Sequence, residues 1–491
     1  MSEPSSNSTP VAPKRAGLLK RALEETGLVS MYVSSRDVKL LCAQRFVRMF
    51  AYGLSTLILV AYLDGLGIPK TEIGLFMTLT LVGDVCISFF LTLFADALGR
   101  RAILALGALL MTASGVVFAL FGTYWVLLVA AIVGVISPSG NEIGPFRAIE
   151  ESIIAQLTDP NNRSDLYAWY SLLGLGGAAC GTMVCGWVIQ YFTESLQWDF
   201  IRAYRAIYFG YAIIGLLKFV LIVTLSHSVE SEKKQKQRVQ DRDDETRPLL
   251  GEIIATSPPP KPKRRLCALF PDISKESVPV VITLCLLFAL DSFGSGLAPL
   301  SWITYYFKYQ FDIEEGKLGS IFFVTQMIAA VSMLVASSLA KRFGNVNTMI
   351  FTHLPSQIFR CLIAVPNDLR LALVFLVLNA STQSMDSGPR SAFLATIVLP
   401  AERTAVMGTA NVVKTTAQSL GPILTGVLVD RNLFWVAFVG SGSLKILYDL
   451  GLLAFFKEKE KERERAERLR IEREDEERRG YADGRGDEER P

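Results

Sequence analysis

Apolar runs of about 18 to 25 residues recur along the chain between positions 40 and 456. Each is long enough to cross a hydrocarbon core of roughly 30 Å as a helix rising 1.5 Å per residue. No water inside a bilayer satisfies an open backbone, so a chain built of such runs becomes either helices or a closed barrel. None shows the short alternation of a barrel strand. The expected class is therefore all-α, a polytopic membrane protein with the lipid bilayer as its surroundings. The composition agrees, with 51% hydrophobic and only 20% charged residues in 491.

The runs fall at about 40–63, 72–95, 102–121, 124–149, 167–191, 204–225, 277–306, 318–340, 347–364, 370–395, 409–429 and 433–456. Twelve transmembrane helices divide six and six around a polar stretch rich in charge and proline, which reads as a linker. The expected organisation is an N-terminal tail (1–37), a six-helix bundle (38–226), a linker (227–276), a second bundle (277–456) and a charged tail (457–491). An even number of crossings puts both tails and the linker on one side. Their Lys20, Arg21, Lys233, Lys234, Arg264, Arg265 and Lys457 mark that side as cytosolic, although the short loops alone show little bias. The polar residues 1–37 argue against a cleavable leader, so the first span is expected to direct its own insertion. The tail "KEKEKERERAERLRIEREDEERR" alternates sign at helical spacing, as a solvated helix does. "ETRPLL" (245–250) has the form of an acidic-dileucine sorting signal, a short pattern that also occurs by chance; the expected host is the plasma membrane or a vacuolar or endosomal membrane.

Several functions are excluded. No nucleotide-binding P-loop is present, and the two histidines, His227 and His353, serve no Cys/His or Ser/His/Asp constellation, so no enzyme is expected. Seven scattered cysteines form no cluster at ligand spacing, which argues for free thiols and against both a disulfide framework and a metal site. A formal net charge of +3 gives no reason to expect a nucleic-acid partner.

The halves repeat. "IGLFMTLTLVGDVCISFFLTLFADALG" (73–99) aligns without a gap on "LGSIFFVTQMIAAVSMLVASSLAKRFG" (318–344), with Gly74 on Gly319 and Gly99 on Gly344. "EIGPFR" (Glu142 to Arg147) returns as "DSGPR" (Asp386 to Arg390), and "RSDLYA" from Arg163 as "RTAVMG" from Arg403. Six-span parallel repeats are how a transporter builds two bundles that rock about a midplane site.

With "TLFADALGRR" (Thr92 to Arg101) the chain resembles the major facilitator superfamily, in its general-substrate, fungal-like form, over nearly all of 38–456. Asp96, Gly99, Arg100 and Arg101 match that family's loop signature, while Thr92 replaces a glycine and Ala97 a basic residue. "LPAERTAVMG" (399–408) is similar to its connection between spans 10 and 11. The resemblance implies a latch at the cytosolic mouth, with Asp96 at a helix N-terminus and Arg100 or Arg101 pairing with Glu150 or Glu151. Plain positive-inside anchoring of the two arginines is the alternative. "AQSLGPILTG" (417–426) is closer to the family's antiporter motif than is the fifth-span "GLGGAACG" (174–181).

Charges inside a membrane are costly and mark cavities or partners. Glu142 and Asp386 each precede a Gly-Pro, so a helix break is expected at each carboxylate, with Arg147 and Arg390 within about a turn. These are either buried pairs, Glu142 with Arg147 and Asp386 with Arg390, that fix helix register, or gating and proton-coupling groups. Asp84 ("LVGDVC") and Asp291 ("ALDSFGSG") have small sequence neighbours and no adjacent cation. They are the preferred proton carriers unless each pairs with a base on another helix. Arg45, Arg48, Arg360, Lys414 and Lys218 are candidates for the substrate cavity, by anion binding or, for Arg45, by snorkelling to the interface. His353, beside Pro355, reads as helix packing.

The function expected is secondary active transport of a small organic solute by alternating access, by a monomer, without a cofactor and with the proton gradient as energy source. Export is favoured slightly. An organic-anion porter using the intramembrane Arg and Lys, and a non-transporting nutrient sensor with the long tail as effector, remain as alternatives.

Overall fold

The computed structural model describes residues 28–134, 136, 138, 145–159, 162–230, 278–386, 389, 390, 393 and 402–456. Among these there is no strand. In chain order the helices are α1 (Leu28–Val33), α2 (Arg36–Gly65), α3 (Lys70–Leu98), α4 (Arg100–Leu120), α5 (Tyr124–Val133), α6 (Pro145–Leu157), α7 (Arg163–Gln190), α8 (Phe200–Val223), α9 (Val278–Leu297), α10 (Leu300–Phe311), α11 (Glu315–Phe343), α12 (Asn345–Leu362), α13 (Leu369–Gln383), α14 (Arg403–Asp430) and α15 (Phe434–Phe456). The pairs α5–α6 and α9–α10 each make a single crossing, the first interrupted around Pro138 and the second at Pro299, so the described helices make twelve. The first break lies where the sequence predicts one, and the second interrupts a run read as continuous. Glu142 itself, the linker and the charged tail lie outside the described residues. α1 is an ordered turn inside the stretch expected to be a plain tail, held where Ser30 Oγ donates to Asp165 Oδ2 at 2.7 Å.

Among the described residues, nine stretches of helix are long and apolar enough to cross a membrane. α5 and α13 are apolar but shorter. α12 is the polar exception, since it buries Thr352, His353, Ser356, Gln357 and Arg360. Polar side chains in a membrane helix face protein or a cavity, so this helix already points to where a site must be.

The repeat predicted from sequence has a backbone signature. Gly99 and Gly344, aligned above, precede α4 and α12 and both have positive φ, +102° and +82°. L-residues rarely adopt that conformation, so glycine is needed at the same corner of both halves. Within the halves α2 packs on α7, α4 on α8, α9 on α14 and α12 on α13; between them α3 packs on α14 and α7 on α11.

The cross-bundle contacts are close because they run through glycine. A Cβ on Gly74 would meet Pro422 O at 2.5 Å and Gly426 Cα at 3.1 Å, and one on Gly186 would meet Glu315 O at 2.1 Å and Gly319 Cα at 3.1 Å. Lipid is as apolar as leucine, so van der Waals contact of this kind, rather than hydrophobic burial, holds membrane helices together. Each contact is finished by a cap supplied from the other bundle. Asp430 accepts from the backbone N of Lys70 (3.2 Å) and Thr71 (2.8 Å) at the start of α3, and Gln190 Oε1 accepts from Gly316 N (3.1 Å) at the start of α11.

At this end, which carries the α2–α3 and α10–α11 loops, one core runs through both bundles, from Tyr62, Phe118 and Tyr208 to Trp302, Phe307 and Phe434. At the opposite end, where α2 and α9 begin, there are two separate cores. One is built around Leu41, Phe146, Ile153 and Tyr170, the other around Phe288, Met349, Tyr448 and Phe456. The bundles therefore join at one end and part at the other.

Candidate functional site

A cavity of about 590 Å³ lies between the bundles, from Arg360 and Leu376 near the shared core to Arg147 and Asp386 where the cores separate. The N-terminal bundle supplies Arg45, Met49, Arg147, Ser171, Leu175 and Ala178; the C-terminal bundle supplies apolar side chains such as Ile303, Phe322 and Leu376 together with a polar group, His353, Gln357, Arg360, Asn379, Gln383 and Lys445. α12 contributes three of these because His353, Gln357 and Arg360, spaced i, i+4, i+7, share one helical face.

Beside the cavity, each bundle encloses a cluster of charges. In the first, both Arg48 guanidinium Nη atoms donate to Glu150, at 2.7 Å each, and the Tyr170 hydroxyl donates to the same carboxylate. The two side chains are 1% and 0% exposed, so this pair is cut off from water. Arg45 stacks over the Tyr170 ring at 4.7 Å, and Lys218 sits 5.1 Å from the Phe146 ring centre. A bidentate pair of this geometry is among the few that offset the cost of burying two charges.

In the second cluster Asp291 receives Lys445 Nζ at 2.7 Å and Arg390 Nη1 at 3.0 Å, while the other Arg390 Nη donates to Asp386. Lys414 lies 5.5 Å from the Phe288 ring centre. His353 Nδ1 is 2.9 Å from both oxygens of Asp449, with Tyr448 edge-on to the imidazole. Asp386, Lys445 and His353 also line the cavity, so this cluster reaches the water-accessible space.

Asp84 is different again. It is 5% exposed in the middle of α3, its hydrogen bond is a long 3.5 Å one from the Ser88 hydroxyl, and among the described residues it forms no ion pair.

This architecture of two related bundles, parted at one end around a polar cavity, is matched by comparison with known proteins. The Major Facilitator Superfamily model matches residues 41–355 and 284–478. The chain belongs to the Major Facilitator Superfamily. It is 38% identical over 438 residues to the uncharacterized membrane protein YJR124C of Saccharomyces cerevisiae, covering 87% of this chain and 96% of the yeast one. It is 22% identical over 182 residues to the quinolone resistance protein NorA of Staphylococcus aureus, covering 37% of this chain and 43% of that protein. In fold it is similar to the inward-open xylose transporter XylE of E. coli, with TM-score 0.64, 15% identity, and 85% and 96% of the two chains covered. A Major Facilitator Superfamily chain of this architecture is an integral membrane transporter and not an enzyme.

The geometry sorts the residues singled out from sequence. Arg45 and Arg360 stand on the cavity wall. Arg48, Lys218 and Lys414, expected there too, do not line it; Arg48 is held by Glu150 inside the N-terminal bundle. Asp291, with no cation beside it in sequence, acquires two from other helices. Asp386 does pair with Arg390. Arg147 pairs with Glu151 at 2.7 Å, both partly exposed.

The latch differs from its expected form. Glu150 is buried against Arg48, and among the described residues it forms no ion pair with Arg100 or Arg101. Arg100 instead donates from its backbone N to Glu230 (2.9 Å) and from Nη1 to Gln156 (2.8 Å), and Arg101 donates to the Val223 carbonyl. Gly99 is the left-handed corner already described, and the Asp96 side chain lies outside the described residues. Sequence reasoning missed Tyr170 as the third member of the first cluster, because an aromatic in an apolar helix carries no signal of its hydroxyl's partner. His353, read as helix packing, is buried between α12 and α15 against Asp449 and also lines the cavity. The i, i+4, i+7 polar face of α12 was the available clue.

Proposed function

We propose that this protein is a proton-coupled secondary transporter of a small organic solute, working by alternating access with Asp84 as the proton carrier. The observation behind this is the contrast among the buried carboxylates. Glu150, Asp291, Asp386 and Asp449 each have a basic partner within 3.0 Å, whereas among the described residues Asp84 has the Ser88 hydroxyl and no ion pair. An acid buried in a membrane without a counter-ion is costly to keep charged, and such positions suit proton exchange. The end at which the bundles part carries the starts of α2 and α9. With that end cytosolic, as the basic tails argue, the conformation is inward-facing. Export agrees with the likeness to NorA, whose name is that of a resistance protein, and with Gly421-Pro422 in α14.

The test uses the full chain in proteoliposomes, with a solute panel and an imposed pH gradient. Wild type should accumulate or expel solute with the gradient. Asp84→Asn should lose gradient-driven flux by about a hundredfold or more, the scale on which a positioned proton-transfer group acts, and keep solute counterflow. Gradient-driven flux surviving in Asp84→Asn would overturn the assignment.

A further inference from the structure

Building on the transport reading, we infer that the solute is an organic anion whose acidic group docks on Arg360 at the inner end of the cavity. The cavity wall is rich in positive charge. Among the described residues the cavity wall carries Arg45, Arg147, Arg360 and Lys445 against a single carboxylate, Asp386. That carboxylate is already taken by Arg390, and Lys445 by Asp291. Arg147 holds Glu151.

Arg360 has no such partner. It is 9% exposed and forms no ion pair among the described residues; its hydrogen bond is a 3.3 Å contact from Nη1 to the neutral Ser441 hydroxyl, while Nε has none. The Ser441 hydroxyl is itself committed, donating to the Gly294 carbonyl at 2.5 Å. A buried guanidinium left with one neutral acceptor is several kcal/mol short of compensation, and a membrane interior keeps such a group where a ligand or a cavity completes it.

The neighbours on α12 and α13 define the rest of the ligand. Asn379 Nδ2 donates to the Ser356 hydroxyl and carbonyl at 2.9 Å, and the Ser356 hydroxyl donates to the Asn379 carbonyl at 3.2 Å. That serine oxygen also accepts from Gln357 Nε2 at 3.3 Å, which fixes the glutamine amide with its Oε1 unpartnered. The apolar lining comes from both bundles, Met49, Leu175 and Ala178 from one and Ile303, Phe322 and Leu376 from the other. The arrangement suits an anion on the arginine and an apolar body against these side chains. A planar carboxylate or sulfonate matches the guanidinium edge better than a cation or a neutral sugar does. An arginine facing its ligand in a dry site also makes lysine a poor substitute, because the fork geometry is lost.

The test measures thermal stabilisation and counterflow with the purified full chain. The probes are matched acid and amide pairs: benzoate and benzamide, 2-naphthoate and 2-naphthamide, naphthalene-2-sulfonate and naphthalene-2-sulfonamide. At least one acid should stabilise the protein and exchange across the membrane while its amide does neither. Arg360→Gln should weaken that binding by about ten- to a hundredfold, the range for losing a charged hydrogen bond. Arg360→Lys, which keeps the charge if the glutamine variant fails to fold, should retain a weakened response. Equal responses to every acid and its amide, or an acid response unchanged in both variants, would overturn the inference. Flux of neutral solutes without acid binding would remove the anion site and leave the transporter. Acid binding without flux of any solute would do the reverse.

Discussion

The two bundles solve the same electrostatic problem with opposite signs. Arg48 on α2 and Asp291 on α9 each lie five residues before a glycine, Gly53 or Gly296, that packs against the backbone of α7 or α14. In the first half the base is on the leading helix and the acid, Glu150, on the fourth crossing. In the second half the acid leads, and its base, Arg390, is on the tenth. The Arg48–Glu150 pair is closed off beside Tyr170, with Arg45 between that ring and the cavity, and the second cluster borders the cavity through Lys445 and Asp386. A duplicated scaffold thus preserves places and not charges. The sealed cluster is suited to hold helices together, and the open one to respond to what enters the cavity.

The largest effect should come from Glu150→Gln, which strands Arg48 in a dry site. A loss of about 3–5 kcal/mol is expected, seen as a collapse of the monodisperse peak and of the unfolding temperature in detergent. If that variant is nearly as stable as wild type, the first cluster is not sealed and the contrast fails. Asp291→Asn should cost less, about 1–3 kcal/mol, because Arg390 keeps Asp386 and Lys445 can turn to cavity water. The same variant should impair counterflow more than it lowers the unfolding temperature. Tyr170→Phe removes one hydrogen bond to a charge that keeps its arginine, about 1.5–3 kcal/mol at most, and should leave solute counterflow intact. Arg147→Ala, which breaks a partly exposed i,i+4 pair, should shift stability by about 0.3–0.5 kcal/mol. A salt titration should erase that last difference and leave the Glu150→Gln effect unchanged, since screening reaches only exposed pairs.

Legibility from sequence divides along the same line. The crossings, the two bundles and the alignment of Gly99 with Gly344 could be read because each follows from local pattern: run length, charge, and a glycine at a left-handed corner. The pairing of Asp386 with Arg390 was legible for the same reason, the two being one turn apart. Arg48 with Glu150 spans 102 residues, and Lys445 with Asp291 spans 154, so no local spacing announces either. Asp291 shows the cost: its neighbours in sequence are small and neutral, and its neighbours in space are two cations.

The chain alone determined that the protein spans a membrane as a duplicated set of helices, because backbone hydrogen bonding in lipid leaves a helix no alternative and hydropathy is a property of each segment by itself. Only the tertiary structure decided which charges are neutralised inside each bundle and which, like Arg360, are left facing the cavity. Coulomb energy depends on distance between side chains, and that distance is set by how helices far apart in sequence come to lie against each other.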